Sequence, residues 1–120
     1  MKRDVDLIRK LVFVIEEHPH GFAPKEINID GYTSEQIGYH LYIMLDSGLI
    51  KGSDISTCDD DSPQAIVSSL TWKGHEFADA ARNDNLWAKA KNTIAERTET
   101  VTFSLVFDYL QAMAKTAIGV

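Results

Sequence analysis

Residues 32–50, YTSEQIGYHLYIMLDSGLI, decide how the rest of the chain is read. Thr33 or Ser34 suits the N-cap of a helix, because a hydroxyl there accepts from backbone N–H groups that lack a partner in the first turn. Ile37, Leu41, Met44 and Leu45 then recur at the helical period and share one face. Gly48 supplies a left-handed stop, and Leu49-Ile50 carries apolar character into a strand.

Downstream, residues 49–55 read as that strand and residues 65–72 as its antiparallel partner, with Ile66, Val67, Leu70 and Trp72 among Ser68, Ser69 and Thr71. The link, STCDDDSPQ at 56–64, is polar, acidic and turn-forming, as the wing of a winged helix would be. Upstream, residues 3–17 form an amphipathic helix through Leu7, Ile8, Leu11, Val12, Val14 and Ile15, and Asp4 or Asp6 suits its positive end. His18-Pro-His-Gly ends it. Pro24 and Lys25 open a short second helix or turn, and Ile27 and Ile29 alternate as a half-buried extended piece would. Asp30-Gly31 marks a tight turn before the helix at 33–47.

After the hairpin, Thr71 caps a helix over 72–82, where Gly74 allows close packing and Trp72, Phe77, Ala78, Ala80 and Ala81 face the core. Residues 83–85 interrupt it, and a further helix over 86–97 carries Trp87, Ala88, Ala90 and Ile94. The last helix, 103–118, places Phe103, Val106, Phe107 and Leu110 on one stripe, expected to pair two copies into a homodimer. The expected fold is mainly α with a small β-hairpin: a winged helix-turn-helix domain over 1–82 and a C-terminal helical extension over 83–120.

At 120 residues, 44% hydrophobic and 25% charged, the chain is long enough for a real core and is not a disordered tail. Its longest apolar run, residues 11–15, falls far short of the roughly 20 residues needed to cross a bilayer. A single cysteine, Cys58, excludes an intrachain disulfide, and no leader precedes the first helix, so a cytoplasmic location is expected. The net charge is −6, and its distribution matters more than its sum. Residues 26–64 hold one base, Lys51, against eight acids, whereas the flanking segments are nearly balanced. The segment placed to read DNA is therefore the acidic one.

Two resemblances bear on this pattern. Ile37-Gly38-Tyr39-His40-Leu41, with Leu45 and Gly48-Leu49-Ile50, resembles the recognition helix of arsenic-repressor-type winged helices. The cysteine motif of those metal sensors has no counterpart in residues 26–30, so the resemblance brings no metal site. MKRDVDLIRK, GYTSEQIGYHL and LTWKGHEFADAARND, followed by Trp87, are similar over residues 1–97 to a family of bacterial and prophage winged-helix proteins of unknown function. That similarity implies a winged-helix domain of phage type and carries over no activity or site residue.

The expected work is binding, not catalysis. No serine-histidine-aspartate order or glycine-rich phosphate loop is present, and His75-Glu76 with Asp79 is not the HExxH of zinc proteases. No cofactor and no metal are expected. An acidic face made of Glu35, Gln36, Tyr39 and His40 with Asp59, Asp60 and Asp61 suits a host or phage protein with a basic surface. Such a partner fits an anti-repressor or an inhibitor of a nucleic-acid-handling protein. The alternative is a dimeric transcriptional regulator that reads duplex DNA through Ser34, Gln36, Tyr39 and His40, with Lys73 on phosphate. Against it, the helix at 33–47 has no lysine or arginine, and the hairpin tip would carry like charge toward the backbone.

Overall fold

The computed structural model describes residues 1–98 and 100–119. It holds five helices and one two-stranded antiparallel hairpin, in two compact units, 1–75 and 76–120. The chain divides within a helix that begins in the first unit and ends in the second.

In the first unit, α1 runs Val5–Glu17. Asp4 caps it, its Oδ1 accepting from the N–H groups of Asp6 and Leu7 at 2.9 and 3.1 Å. The helix buries Val5, Leu7, Ile8, Leu11, Val12 and Ile15. α2 runs Ser34–Ser47 and closes at Gly48, whose φ of 83° is left-handed and whose N–H returns to the last turn. An L side chain at Gly48 would be strained, which is why glycine ends this helix. β1 (Ile50–Asp54) and β2 (Ala65–Leu70) pair with a register irregularity at Lys51/Gly52. α1 packs on α2 and β2, and α2 packs on both strands. Leu7, Leu11, Met44, Leu49 and Ile50 form the dry centre. Each fully buried side chain of this size is worth about 1.5–3 kcal/mol against exposure.

The link between α1 and α2 decides the expected helix or turn against a helix. Residues 18–33 hold bends and one turn and no helix, so α2 is not the second member of a tightly turned helix pair. Ala23 instead donates its N–H to the Ser68 carbonyl at 2.7 Å, pinning the link to β2, while Ile27 and Ile29 are half-buried as their alternation predicts.

α3 (Trp72–Ala80) starts where Thr71 Oγ1 accepts from Gly74 N–H at 3.1 Å. A Cβ at Gly74 would collide with the Leu49 carbonyl and crowd Leu70, so the close approach expected there is present. Trp72 is a correction: it is 82% exposed. Its two-residue spacing from Leu70 suggests a continuing strand face, but the chain has already turned into a helix, which sends the indole to solvent.

The second unit comprises the end of α3, α4 (Asp84–Thr98) and α5 (Phe103–Ala117), with α4 packed on α5. Asn83 Oδ1 accepts from Leu86 N–H at 2.9 Å and Thr102 Oγ1 from Leu105 N–H at 3.3 Å, which starts the two helices. Phe77, fully buried, is the hub: Phe103, Phe107 and Trp87 lie 4.7, 5.5 and 5.9 Å from it, ring centre to ring centre. The stripe expected to pair two copies is corrected here. Val106, Phe107 and Leu110 are buried, and Phe103 is half-buried against Phe77, so one copy already covers them.

Candidate interaction surface on α2 and the hairpin

The N-terminal turn of α2 is held by a reciprocal pair of bonds. Thr33 Oγ1 accepts from Gln36 N–H at 3.1 Å, and Gln36 Oε1 accepts from Thr33 N–H at 2.8 Å. This capping box satisfies two orphan donors and spends the amide oxygen that Gln36 would turn toward an adenine. The Thr-x-x-Gln spacing was the available signal for it.

His40, expected on the exposed face, is a further correction. It is 2% exposed. Its Nε2 accepts from Asp4 N–H at 2.9 Å, so Nδ1 carries the hydrogen and donates to the Gln36 carbonyl at 2.7 Å. Asp4 Oδ2 also accepts from the Tyr32 hydroxyl at 3.0 Å, and the Lys10 ammonium lies 5.4 Å from the Tyr32 ring. Burial, and then the Asp4 hydrogen bond and the charges of Asp4 and Asp6, push the Tyr32 phenol above its ordinary value. His40 and Tyr32 therefore fasten α2 to the start of α1, and neither partner-binding role expected of His40 is open to it.

The hairpin tip is a tied loop. Ser56 Oγ donates to the Gln64 carbonyl at 3.1 Å and accepts from Gln64 N–H at 2.8 Å. Asp60 Oδ2 accepts from Thr57 N–H at 2.7 Å, and Asp54 Oδ1 from Ser56 N–H at 2.8 Å. The Thr57 amide, and then the Gln64 side chain, hold the Asp60 carboxyl below its usual range; the Ser56 hydroxyl and amide do the same for Asp54. Both are ionised at neutral pH.

Tip and helix then meet. Ser62 Oγ donates to Glu35 Oε1 at 3.1 Å, and a Cβ on Gly38 would stand 3.2 Å from Gln64 Cβ. Between them lies an open cleft of about 240 Å³ lined by Ser34, Glu35, Gly38, Asp60, Asp61 and Ser62, with Pro63 and Gln64 closing it. No base lines it. Of the residues expected at a partner surface, Glu35, Asp60 and Asp61 are thus brought together, with Ser34 of the DNA-reading alternative. Asp59 is exposed, and Tyr39 is half-buried and stacks on Tyr42 at 6.4 Å. Lys73 is exposed at the start of α3, its Nζ 3.4 Å from the Ser47 carbonyl. Ser62, Gln64 and Gly38 were missed, because only the fold brings residue 62 to residue 35.

Elsewhere, Asp79 pairs with Arg82 at 2.7 Å, and among the described residues no three histidine, cysteine or carboxylate side chains converge as metal ligands would. Cys58 is exposed. No helix among the described residues is long and apolar enough to cross a membrane.

Residues 2–100 match the sequence family described as "Hypothetical protein (DUF2513)". The chain is also similar to an "Uncharacterized protein" of Haemophilus influenzae (strain ATCC 51907 / DSM 11121 / KW20 / Rd), at 33% identity over 127 residues that cover 99% of this chain and 97% of that one. No solved structure matches it significantly. Neither description states an activity, so none passes to this chain. The match across most of its length shows that the chain belongs to the DUF2513 family.

Proposed function

We propose that this is a non-catalytic binding protein of phage or prophage type, built on a winged-helix frame, whose acidic α2–hairpin face docks on a protein partner with a basic surface. A partner that handles nucleic acid, held off its substrate as an anti-repressor or inhibitor would hold it, fits that chemistry. One observation carries the reading: two acidic segments far apart in sequence, the first turn of α2 and the hairpin tip, share one cleft with no base in it. Asp60 is held ionised there, and Glu35 is oriented by Ser62. Such a field speeds encounter with a cationic surface and repels an anionic one.

The second reading, a DNA-binding regulator, is favoured by the exposure of Ser34 at the N-terminus of α2 beside the hairpin. It is weakened by the side chains expected to read bases: Gln36 is committed to its capping box and His40 is buried.

The experiment is a binding series with the purified chain. We expect no association with random or genomic duplex even at low salt. We expect capture of a nucleic-acid-handling protein from the host, lost in the double variant Asp59→Lys with Asp61→Lys while circular dichroism stays unchanged. Duplex binding that weakens steeply with salt would replace this reading with the regulator, since the slope counts phosphates contacted. A partner held as tightly by the double variant would remove the hairpin tip from the interface.

A further inference from the structure

We infer that the outer stripe of α2 selects arginine over lysine on its partner. This rests on the acidic-face reading above and specifies the partner's chemistry. The stripe consists of Glu35, Tyr39, Tyr42 and Asp46, spaced so that each carboxylate lies one helical turn from a ring, Glu35 beside Tyr39 and Asp46 beside Tyr42. Glu35 and Asp46 are exposed, and the two tyrosine rings, stacked at 28° to one another, are partly open to solvent. Neither Tyr39 nor Tyr42 has a side-chain hydrogen bond among the described residues, although Tyr32 of the same segment is bonded to Asp4. No lysine or arginine occurs in α2 to answer its carboxylates.

A carboxylate one turn from an aromatic face is complementary to a guanidinium. That group is planar, weakly hydrated, able to lie on a ring, and able to offer two parallel N–H bonds to a carboxylate at the same time. An ammonium is compact and strongly hydrated, so it gains the charge attraction and little from the rings. The two carboxylate–ring pairs are centred seven residues apart, about 10 Å along the helix at 1.5 Å per residue. Two arginines spaced by about 10 Å, two turns of a helix or three residues of a strand, would meet both pairs. Glu35 lines the cleft at the hairpin tip as well, but that cleft has no aromatic wall, so the discrimination comes from the tyrosines of the stripe.

The test uses the full chain and two fluorescent probes, oligoarginine and oligolysine of equal length, titrated at the same low salt and read by anisotropy. We expect oligoarginine to bind at least about 5-fold tighter. Tyr39→Leu with Tyr42→Leu should bring the ratio close to one while oligolysine binding changes less than about 2-fold. Tyr39→Phe with Tyr42→Phe should keep the ratio, because the ring and not the hydroxyl does the selecting; the phenylalanine pair also tests the inference if the leucine pair does not fold. The Asp59→Lys, Asp61→Lys protein should weaken both probes together and preserve their ratio. Equal affinity of the wild-type chain for the two probes overturns this inference and leaves the acidic-face reading standing. Failure of both probes to bind at low salt overturns the two together.

Discussion

α2 and α5 are nearly the same length, each starts on a threonine cap, and each carries an amphipathic pattern, yet they end in different situations. In α5 the large apolar residues Val106, Phe107 and Leu110 are buried within one copy of the chain, with Phe107 against Phe77. In α2 one face is core, and the other keeps carboxylates exposed and two tyrosines partly open. Periodicity reports that a face will be buried. It does not report which surface buries it, so a stripe that suggests a second copy can be filled by a side chain distant in sequence in the same unit, here Phe77.

The contrast is broken most severely at the hub of the second unit. Phe77→Ala should cost about 3–5 kcal/mol, because three rings lose their common neighbour and leave a cavity. Thermal or urea unfolding checks it. Leu110→Asp sharpens the same point: we expect it to unfold the second unit, since the site is 1% exposed, and a folded monomer in sedimentation would show instead that the stripe pairs copies.

Next is the fastening of α2 to α1. His40→Ala removes the acceptor of Asp4 N–H and the donor to the Gln36 carbonyl, and should cost about 1–3 kcal/mol. Amide exchange should accelerate at the start of α1. If protection at Asp4 and Val5 is unchanged, the histidine does not hold the two helices.

The capping box is smaller: Thr33→Ala should cost about 1 kcal/mol and fray the first turn of α2, which exchange rates at Gln36 would show. Smaller still is a pH effect. The folded phenol of Tyr32 lies above its unfolded value, so its contribution is complete below about pH 10 and is lost as pH rises through the folded value. Tyr32→Phe should flatten that alkaline loss. Asp54 and Asp60 act in the opposite direction: with depressed folded values, they contribute above about pH 4 and lose that contribution as pH falls through the folded values.

Much of the fold was legible. The left-handed stop at Gly48, the caps at Thr33 and Thr71, an acid at the start of α1, the hairpin and the five helical stretches follow from local chemistry and are present close to their expected bounds. Where expectations failed, as at the α5 stripe, Trp72 and His40, the reason in most cases lies outside any local window. Of the short helix or turn expected after Pro24, the helix is absent from residues 18–33, where Ala23 is pinned to β2. Trp72 faces solvent because a strand period was carried one step into a helix. His40 is core because Asp4, 36 residues earlier, brings a backbone donor to it. At the candidate surface the acids were readable one by one. That Glu35 shares a cleft with Asp60 and Asp61 was not.

By itself the sequence determined what each segment is: its period, its caps, its stop signals and its charge, all of which depend on neighbours within a turn or two. Tertiary structure decided which polar groups were spent and which remained. A buried acceptor must find a donor wherever the chain brings one, so His40 was withdrawn from the surface. Folding of the hairpin against α2 set Glu35 beside the tip and left the acids facing outward, since like charges in one cleft persist only where water reaches them.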